Sequence, residues 1–271
     1  MISTRHLEFK YRGAPRPAVH DINIDIEDGS IVAVLGANGS GKSTLARLFG
    51  GMLRPSAGTV VVDGVDTTAR PAGWAMHQHV GMVFQNPQNQ IVSTVVENEV
   101  AFGLENLMMD SATMQQRVTE CLELVGMLHL RLANPHELSA GEQQRLGIAS
   151  ALAANPRHLI LDEATALLDD QTRLELMSRV QALARRLSLN VIVITHRMDE
   201  VNIADRVIVL SQGEVVFDDT PTALFTQAEQ LPHWNLTLPP LQELTAALRS
   251  GGLQVPPSAL TPEEVARALW P

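Results

Sequence analysis

Apolar and polar residues alternate with period two at Leu7-Glu8-Phe9-Lys10-Tyr11 and at Ile22-Asn23-Ile24-Asp25-Ile26, and Glu27-Asp28-Gly29 follows with turn chemistry. Such alternation predicts strands with one buried and one wet face, as in an antiparallel sheet. The pattern then changes: residues 31–35, 159–161, 191–194 and 207–210 are unbroken apolar runs, expected of strands covered on both faces in a parallel sheet. Between them the spacing predicts helices over 42–50, 111–126, 141–154 and 171–188, the last with Leu174, Met177, Val180, Leu183 and Leu187 on one stripe. Strands alternating with helices imply an α/β core. Residues 88–155 lack a buried-strand run and read as a helical lobe inserted between strands. After residue 218 the composition shifts, with eight of the 15 prolines in the last fifth of the chain. There Leu241, Leu244 and Leu248 mark one short helix, and Thr261-Pro262-Glu263-Glu264 supplies a cap, a proline and early acids to open another. The chain thus divides into a body over 1–220 and a small helical extension over 221–271.

Composition narrows the function classes. The 271 residues are 45% hydrophobic, enough for a sizeable core, and the formal net charge is -10. An acidic chain lacks the Lys/Arg stripe from which nucleic-acid affinity comes, so no nucleic-acid partner is expected. No apolar run approaches the roughly 18 residues that span a bilayer, and MISTRHLEFK at the start has no apolar signal core; a soluble, cytosolic chain is expected. A single Cys121 cannot form an internal disulfide and reads as a small core residue of a helix.

The strongest chemical signal is Gly36-Ala37-Asn38-Gly39-Ser40-Gly41-Lys42-Ser43, which follows the apolar run 31–35, opens the helix from 42 and matches G-x-x-x-x-G-K-[ST]. The glycines let successive backbone N–H groups curl around phosphate oxygens, and the helix N-terminus adds favourable potential. Lys42, one of only two lysines in the chain, places a point charge on the phosphates; the Ser43 hydroxyl ligates Mg²⁺, and Thr44 stands beside it. A second element is His158-Leu159-Ile160-Leu161-Asp162-Glu163, an apolar strand ending in two acids where parallel strands bind ligands. Asp162 is assigned to Mg²⁺ and Glu163 to polarising an attacking water. Gln85, after Val83-Phe84, offers an amide for Mg²⁺ or the water, and His196, after Ile194-Thr195, offers an imidazole for a γ-phosphate. Ser139 with Glu142 three residues on forms a capping box; with Gly141 these residues make a helix N-terminus that is either a well-capped helix or a second anion site.

Together, residues 36–43, Gln85, Leu138-Ser139-Ala140-Gly141-Glu142-Gln143, 159–163, Leu168-Asp169 and His196 resemble the nucleotide-binding subunit of ABC transporters over about residues 3–220. That resemblance implies an α/β P-loop fold of the ABC type: a parallel core sheet flanked by helices, an N-terminal antiparallel β subdomain, the helical lobe and the C-terminal extension. It also implies that Tyr11 stacks on adenine and that two subunits, identical or sister, sandwich two ATP molecules head to tail. Ser139 and Gly141 then touch the γ-phosphate held by the partner's P-loop. Two departures stand out: Ala140 where the signature usually has glycine, and Ala166 where the D-loop usually has serine. Neither removes a group assigned to the chemistry, and both leave an asymmetric heterodimer open.

The run from Phe84 to Gln90, the run 96–106, the signature with Ala140 and Glu142, and the C-terminal extension more narrowly resemble the ATPases of energy-coupling factor transporters, which import vitamins or transition-metal ions. In that family the extension helps the ATPases dimerise, and the groove beside the Gln85 loop, here 86–92, receives helices of a transmembrane coupling subunit that also binds a substrate-binding membrane protein. The expectation is a peripheral protein on the cytoplasmic face of the membrane that hydrolyses Mg·ATP: Glu163 orients water, His196 positions water and γ-phosphate, and Lys42 with Mg²⁺ absorbs charge. Rival readings are the ATPase of another ABC transporter type, a soluble ABC ATPase acting on DNA or ribosomes, and a non-catalytic nucleotide-binding regulator. The acidic charge, the single nucleotide module and the lack of a long coiled-coil insertion count against the soluble ATPase; Glu163 and His196 count against the regulator.

Overall fold

The strands form two sheets, in line with the two kinds of pattern. The computed structural model describes residues 1–68, 76, 78–105, 109–256, 259 and 261–270; Asn106, which ends the 96–106 run, lies outside the described residues. In chain order the strands are β1 (Ile2–Phe9), β2 (Val19–Ile22), β3 (Asp25–Ile26), β4 (Ile31–Leu35), β5 (Ala57–Val62), β6 (Val65–Asp66), β7 (Val80–Phe84), β8 (His158–Asp162), β9 (Asn190–Ile194), β10 (Arg206–Ser211) and β11 (Glu214–Asp219). The helices are α1 (Lys42–Phe49), α2 (Val96–Glu105), α3 (Ser111–Leu124), α4 (Ala140–Ala153), α5 (Asp170–Leu187), α6 (Pro221–Thr226), α7 (Pro240–Ser250) and α8 (Pro262–Leu269).

The first sheet runs β2-β1-β5-β6, with β3 also on β1, and its pairings are antiparallel. Its strands do not follow the predicted bounds. β1 ends at Phe9 rather than Tyr11, and the run 22–26 breaks into β2 and β3. The break has a local cause: Thr4 Oγ1 donates to the Ile22 carbonyl at 3.0 Å and accepts from the Ile24 N–H at 2.9 Å. A buried hydroxyl thereby takes the place of a ladder bond.

The second sheet has the order β11-β10-β4-β9-β8-β7, parallel from β10 to β7 and antiparallel only at the β11 edge. Every residue of β4, β8 and β9 is buried, because both faces are covered. Ile31, Leu159, Leu161, Val191 and Val193 face the core that holds α2 to α5. Ile160, Ile192, Ile194, Val32 and Val34 face the opposite core, shared with α1 and the antiparallel sheet. The alternation is the period-two geometry of a strand made visible by two clusters. β11 escapes the sequence reading because its side chains are exposed or half-buried; the signal was the turn at Gln212-Gly213, both at positive φ.

Residues 88–155 hold α2, α3 and α4 between β7 and β8 in chain order, and Cys121 is buried in that lobe, where burial pushes its thiol pKa up. On α5 the buried stripe is Leu176, Met177, Val180, Leu183 and Ala184; the expected Leu174 and Leu187 are instead 62% and 42% exposed. Six residues from Val180, Leu174 lies about 120° round the helix from the centre of the buried face, and Leu187 is the helix's last residue. In the extension, Leu224 and Phe225 of α6 pack with Ala33, Leu35, Val207 and Val209 of the central sheet, whereas Val255, Ala259 and Val265 form a small cluster of their own.

A polar clamp joins the sheets. Asp63, at φ 48 between β5 and β6, lies 3.1 Å from His158 Nε2 and 3.0 Å from His79 Nδ1. Asn190 Oδ1 accepts from the Ser30 N–H at 3.2 Å, which leaves its amide nitrogen to donate to His158 Nδ1 at 3.1 Å. His158 is therefore neutral, with its proton on Nε2 and aimed at Asp63. Burial holds the His158 pKa below its ordinary 6.5, although Asp63 pulls it upward. Burial alone would raise Asp63, yet hydrogen bonds from the Met1 amino group, His158 and His79 hold it well below the usual carboxylate range. The unfolded chain takes up a proton at His158 that the folded chain refuses, so this residue lowers stability as pH falls below about 6.5. Melting temperatures compared between about pH 7 and about pH 5 should drop further for the wild type than for His158→Gln; equal drops would refute the assignment.

Candidate active site

Parallel pairing lines up four strand ends. Phe84 is opposite Asp162, Asp162 opposite Ile194 and Ile194 opposite Val34. The residues just beyond, Gln85, Glu163, His196 and the 36–43 loop, therefore emerge along one edge of the sheet, where open α/β sheets bind ligands.

The loop after β4 closes tightly on its surroundings. A Cβ on Gly36 (φ 149) would lie 2.3 Å from the Leu210 carbonyl oxygen, and one on Gly41 (φ 106) 2.4 Å from that of Ala18, so only glycine allows this path. Lys42 is buried at the start of α1, and its Nζ donates to the carbonyl oxygens of Gly36 at 2.8 Å and Ala37 at 3.0 Å. Burial lowers its pKa, while Glu163 and Asp162 act in the opposite direction. Ser43 Oγ donates to Asp162 Oδ1 at 2.8 Å. Burial raises the Asp162 pKa against the Ser43 hydrogen bond and the positive charge of Arg47. Both ionisable groups thus sit where a lone charge is costly and a compensating one is favoured.

Glu163 takes φ 52, in the left-handed region, and its N–H donates to the Ile194 carbonyl at 2.9 Å. That bond pins the turn after β8 to the end of β9. His196 Nδ1 lies 3.8 Å from Glu163 Oε1, with the carboxylate largely buried and the imidazole half exposed. The Gln85 carbonyl accepts from Gln144 Nε2 at 3.1 Å. Gln90 folds back on β7, accepting from the Phe84 N–H at 3.0 Å and donating to the Met82 carbonyl at 3.3 Å. The Gln85 loop is thereby tied both to its own strand and to α4.

A cavity of about 770 Å³ gathers Tyr11, Asn38, Gly39, Gly41, Lys42, Ser43, Thr44, Gln85, Asp162 and Glu163 in its walls. Tyr11 hydroxyl lies 3.2 Å from Thr44 Oγ1, and its ring meets Phe9 edge-on at 4.8 Å. Gly36 and Ser40 are buried within the loop, Ser40 Oγ having no hydrogen-bond partner, and His196 adjoins the cavity through Glu163. Arg47 also lines it and was missed by sequence reasoning, although it was accessible from its i+4 spacing to Ser43 on α1; Asn89, expected only in the 86–92 contact with the membrane subunit, lines it too. Gln144 was missed as well, although it directly follows the signature run.

Ser139, Gly141 and Glu142 do not join this cavity. Ser139 caps α4: its N–H and Oγ donate to Glu142 Oε2 at 2.8 and 2.7 Å, which holds the Glu142 carboxylate below its ordinary pKa. Gly141 is buried against α5, where a Cβ would fall 2.5 Å from Thr172 Cγ2.

The cavity combines a buried ammonium, a helix N-terminus and hydroxyls, a set suited to polyphosphate. Ser43, Asp162 and Gln85 add hard oxygen donors in the same wall, a set that fits Mg²⁺.

Comparison with known proteins agrees with this geometry. Residues 19–166 match the family model described as ABC transporter. The energy-coupling factor transporter ATP-binding protein EcfA1 of Symbiobacterium thermophilum is 47% identical over 94% of this chain and 88% of its own, and EcfA1 of Clostridium perfringens is 40% identical over 99% and 97%. Among solved structures, cbiO1 of Clostridium perfringens, described as part of the ABC transporter complex cbiONQ, superposes with a TM-score of 0.79 at 34% identity, covering 90% of this chain and 98% of that one. An ATP-binding cassette solved as a dimer in a post-hydrolysis state with ADP and Pi superposes with a TM-score of 0.74 at 28% identity, covering 82% and 99%. The chain belongs to the ABC transporter family, among its energy-coupling factor ATP-binding proteins, and is an ATPase.

Proposed function

We propose that this chain drives an energy-coupling factor importer for a micronutrient, a vitamin or a transition-metal ion, from the cytoplasmic face of the membrane. The carrying observation is the convergence of Lys42, Ser43, Gln85, Asp162 and Glu163 on one cavity at the strand ends, with His196 against Glu163. ATP is the substrate. Tyr11 and Thr44 take the base side, and the 36–43 loop, through Asn38, Gly39, Ser40 and Gly41, wraps the phosphates. Lys42 exchanges the two loop carbonyls it now holds for phosphate oxygens, which relieves the cost of a buried ammonium. Mg²⁺ held by Ser43, Gln85 and Asp162 would neutralise charge developing on the phosphoryl oxygens. Glu163 orients the attacking water, and His196 hydrogen-bonds the water and the γ-phosphate.

Ser139, Gly141 and Glu142 act in trans, completing the site of an identical or sister ATPase subunit. Their position outside the chain's own cavity, with Ser139 exposed at the start of α4, supports this reading. Hydrolysis then waits on closure of the dimer. The extension over 221–271 is read as a dimerisation element, supported by exposed Leu244, Leu253 and Trp270. A groove of about 500 Å³ walled by Met52, Met82, Phe84, Ile91, Phe102 and Ala151 lies beside the Gln85 loop. Its apolar walls suit a helix of the transmembrane coupling subunit, contacted by 86–92, and through that subunit a substrate-binding membrane protein. Among the described residues no helix is long and apolar enough to cross a membrane; the groove's apolar walls are what support attachment through the coupling subunit.

Glu163→Gln should retain ATP binding while turnover falls by about two orders of magnitude or more; near-wild-type phosphate release would refute its role. Lys42→Ala should abolish the calorimetric signal of ATP binding, and unchanged affinity would sink that assignment. Phe102→Asp should separate the ATPase from its membrane subunit during detergent extraction; wild-type stoichiometry in the extracted complex would overturn the docking groove.

A further inference from the structure

Glu163 and His196 ride on different segments, the turn after β8 and the loop after β9. Side-chain contact between them is limited to the 3.8 Å approach of imidazole and carboxylate, so their relative placement is set by what holds the two segments together. Beyond the strands, that tie is a buried polar cluster. Thr165, two residues past Glu163, donates through Oγ1 to Glu200 Oε1, and Glu200 lies four residues past His196. Arg173 on α5 joins the same group: its Nη2 lies 3.0 Å from Asp170 Oδ1 and 2.9 Å from Asp199 Oδ2, and its Nε lies 4.0 Å from Glu200 Oε1. Arg197, next to His196, reaches Asp170 at 3.2 Å and Asp199 at 3.4 Å.

Stability does not explain this cluster. The side chains of Arg173 and Glu200 are 4% and 3% exposed, and Arg173 Nε and Nη1 and Glu200 Oε2 have no hydrogen-bond partner. Buried ionic groups seldom outperform apolar residues of similar volume, and orphaned polar atoms add to the cost. Arg173, Asp199 and Glu200 also line a cavity of about 310 Å³ whose far wall includes Leu241, Pro262 and Glu263 of the extension. Close packing is therefore missing on that side, and directional ionic ties do the holding.

We propose that Arg173 is a positioning residue: with Thr165 and Glu200 it fixes the loop that carries His196 against the turn that carries Glu163. The inference rests on the assignment of Glu163 and His196 to ATP hydrolysis. A guanidinium suits the task because Nη2 reaches both Asp170 and Asp199 while Nε, on the same planar head, stays 4.0 Å from Glu200, a spread that the compact ammonium of lysine does not offer. A displacement of about 1 Å at a catalytic group costs rate rather than binding. Asp169, four residues before Arg173, caps α5 through the Thr172 N–H, and its carbonyl accepts from the Arg173 N–H at 2.9 Å.

The test measures steady-state phosphate release and calorimetric Mg·ATP affinity for Arg173→Lys and Thr165→Val, each alone and combined with His196→Ala. In the wild-type background kcat should fall at least about tenfold while the ATP Kd stays within about twofold, because Lys42 and Ser43 are untouched. In the His196→Ala background the same substitutions should change residual turnover less than about twofold, since the group they position is gone. Unchanged kcat in the wild-type background would overturn the inference, as would equal fold losses in both backgrounds, the mark of a merely structural role. If Arg173→Lys does not fold, Thr165→Val carries the test alone, because it removes one hydroxyl and changes no charge. Wild-type turnover in His196→Ala itself would bring down the assignment of His196 and the inference with it. Loss of turnover there, with Arg173→Lys and Thr165→Val both active, would overturn the inference alone.

Discussion

Hydrogen-bond register across the parallel sheet is the constraint on which the active site depends. Neighbouring strands sit about 4.8 Å apart, and the row Phe84, Asp162, Ile194, Val34 places four chain ends side by side. A one-residue slip of β8 would send Asp162 to the opposite face and the apolar residues of the strand into the wrong clusters. Because β4, β8 and β9 are buried on both faces, two cores resist such a slip at once. Packing of apolar residues far from the cavity thus sets the separation of Ser43, Asp162 and Glu163 within it.

Against that apolar background, polar groups are buried where segments meet. The Asp63–His158–Asn190 clamp joins the turn between β5 and β6 to β8 and β9. The Thr165–Glu200–Arg173 cluster joins the turn after β8, the loop after β9 and α5. Gln144 joins α4 to the carbonyl of Gln85. A directional bond fixes an angle and a register that apolar contact leaves loose, which is why these ties occur between segments that must keep a defined geometry. Local charge follows the same logic. A chain of net charge -10 suits an anionic substrate because Lys42, loop N–H groups and the start of α1 act at short range, where the global charge is screened.

Much of the site was legible from the chain alone. Gly36, Gly41, Lys42, Ser43, Asp162 and Glu163 stand at spacings that the chemistry requires, and unbroken apolar runs announced the buried strands beside them. The antiparallel sheet was legible in kind but not in extent. The pattern of alternation says nothing of Thr4 inserting its hydroxyl between Ile22 and Ile24, and β5, β6 and β11 carry weak or half-exposed patterns. On α5, periodicity identified the helix but misplaced Leu174 and Leu187, since exposure depends on which neighbour covers each face.

By itself, then, the sequence determined the phosphate loop, the acids after β8, the class of the core and the presence of a helical lobe, all of them set by bonds and periodicities within a few residues. Tertiary structure decided which of those pieces share a cavity. It put Ser139 and Gly141 outside it, tied Gln144 to Gln85, and brought Arg173 to Asp199 and Glu200. These contacts join residues dozens of positions apart, and no local propensity encodes them: they follow from strand order and register, which arise only when the whole apolar interior packs.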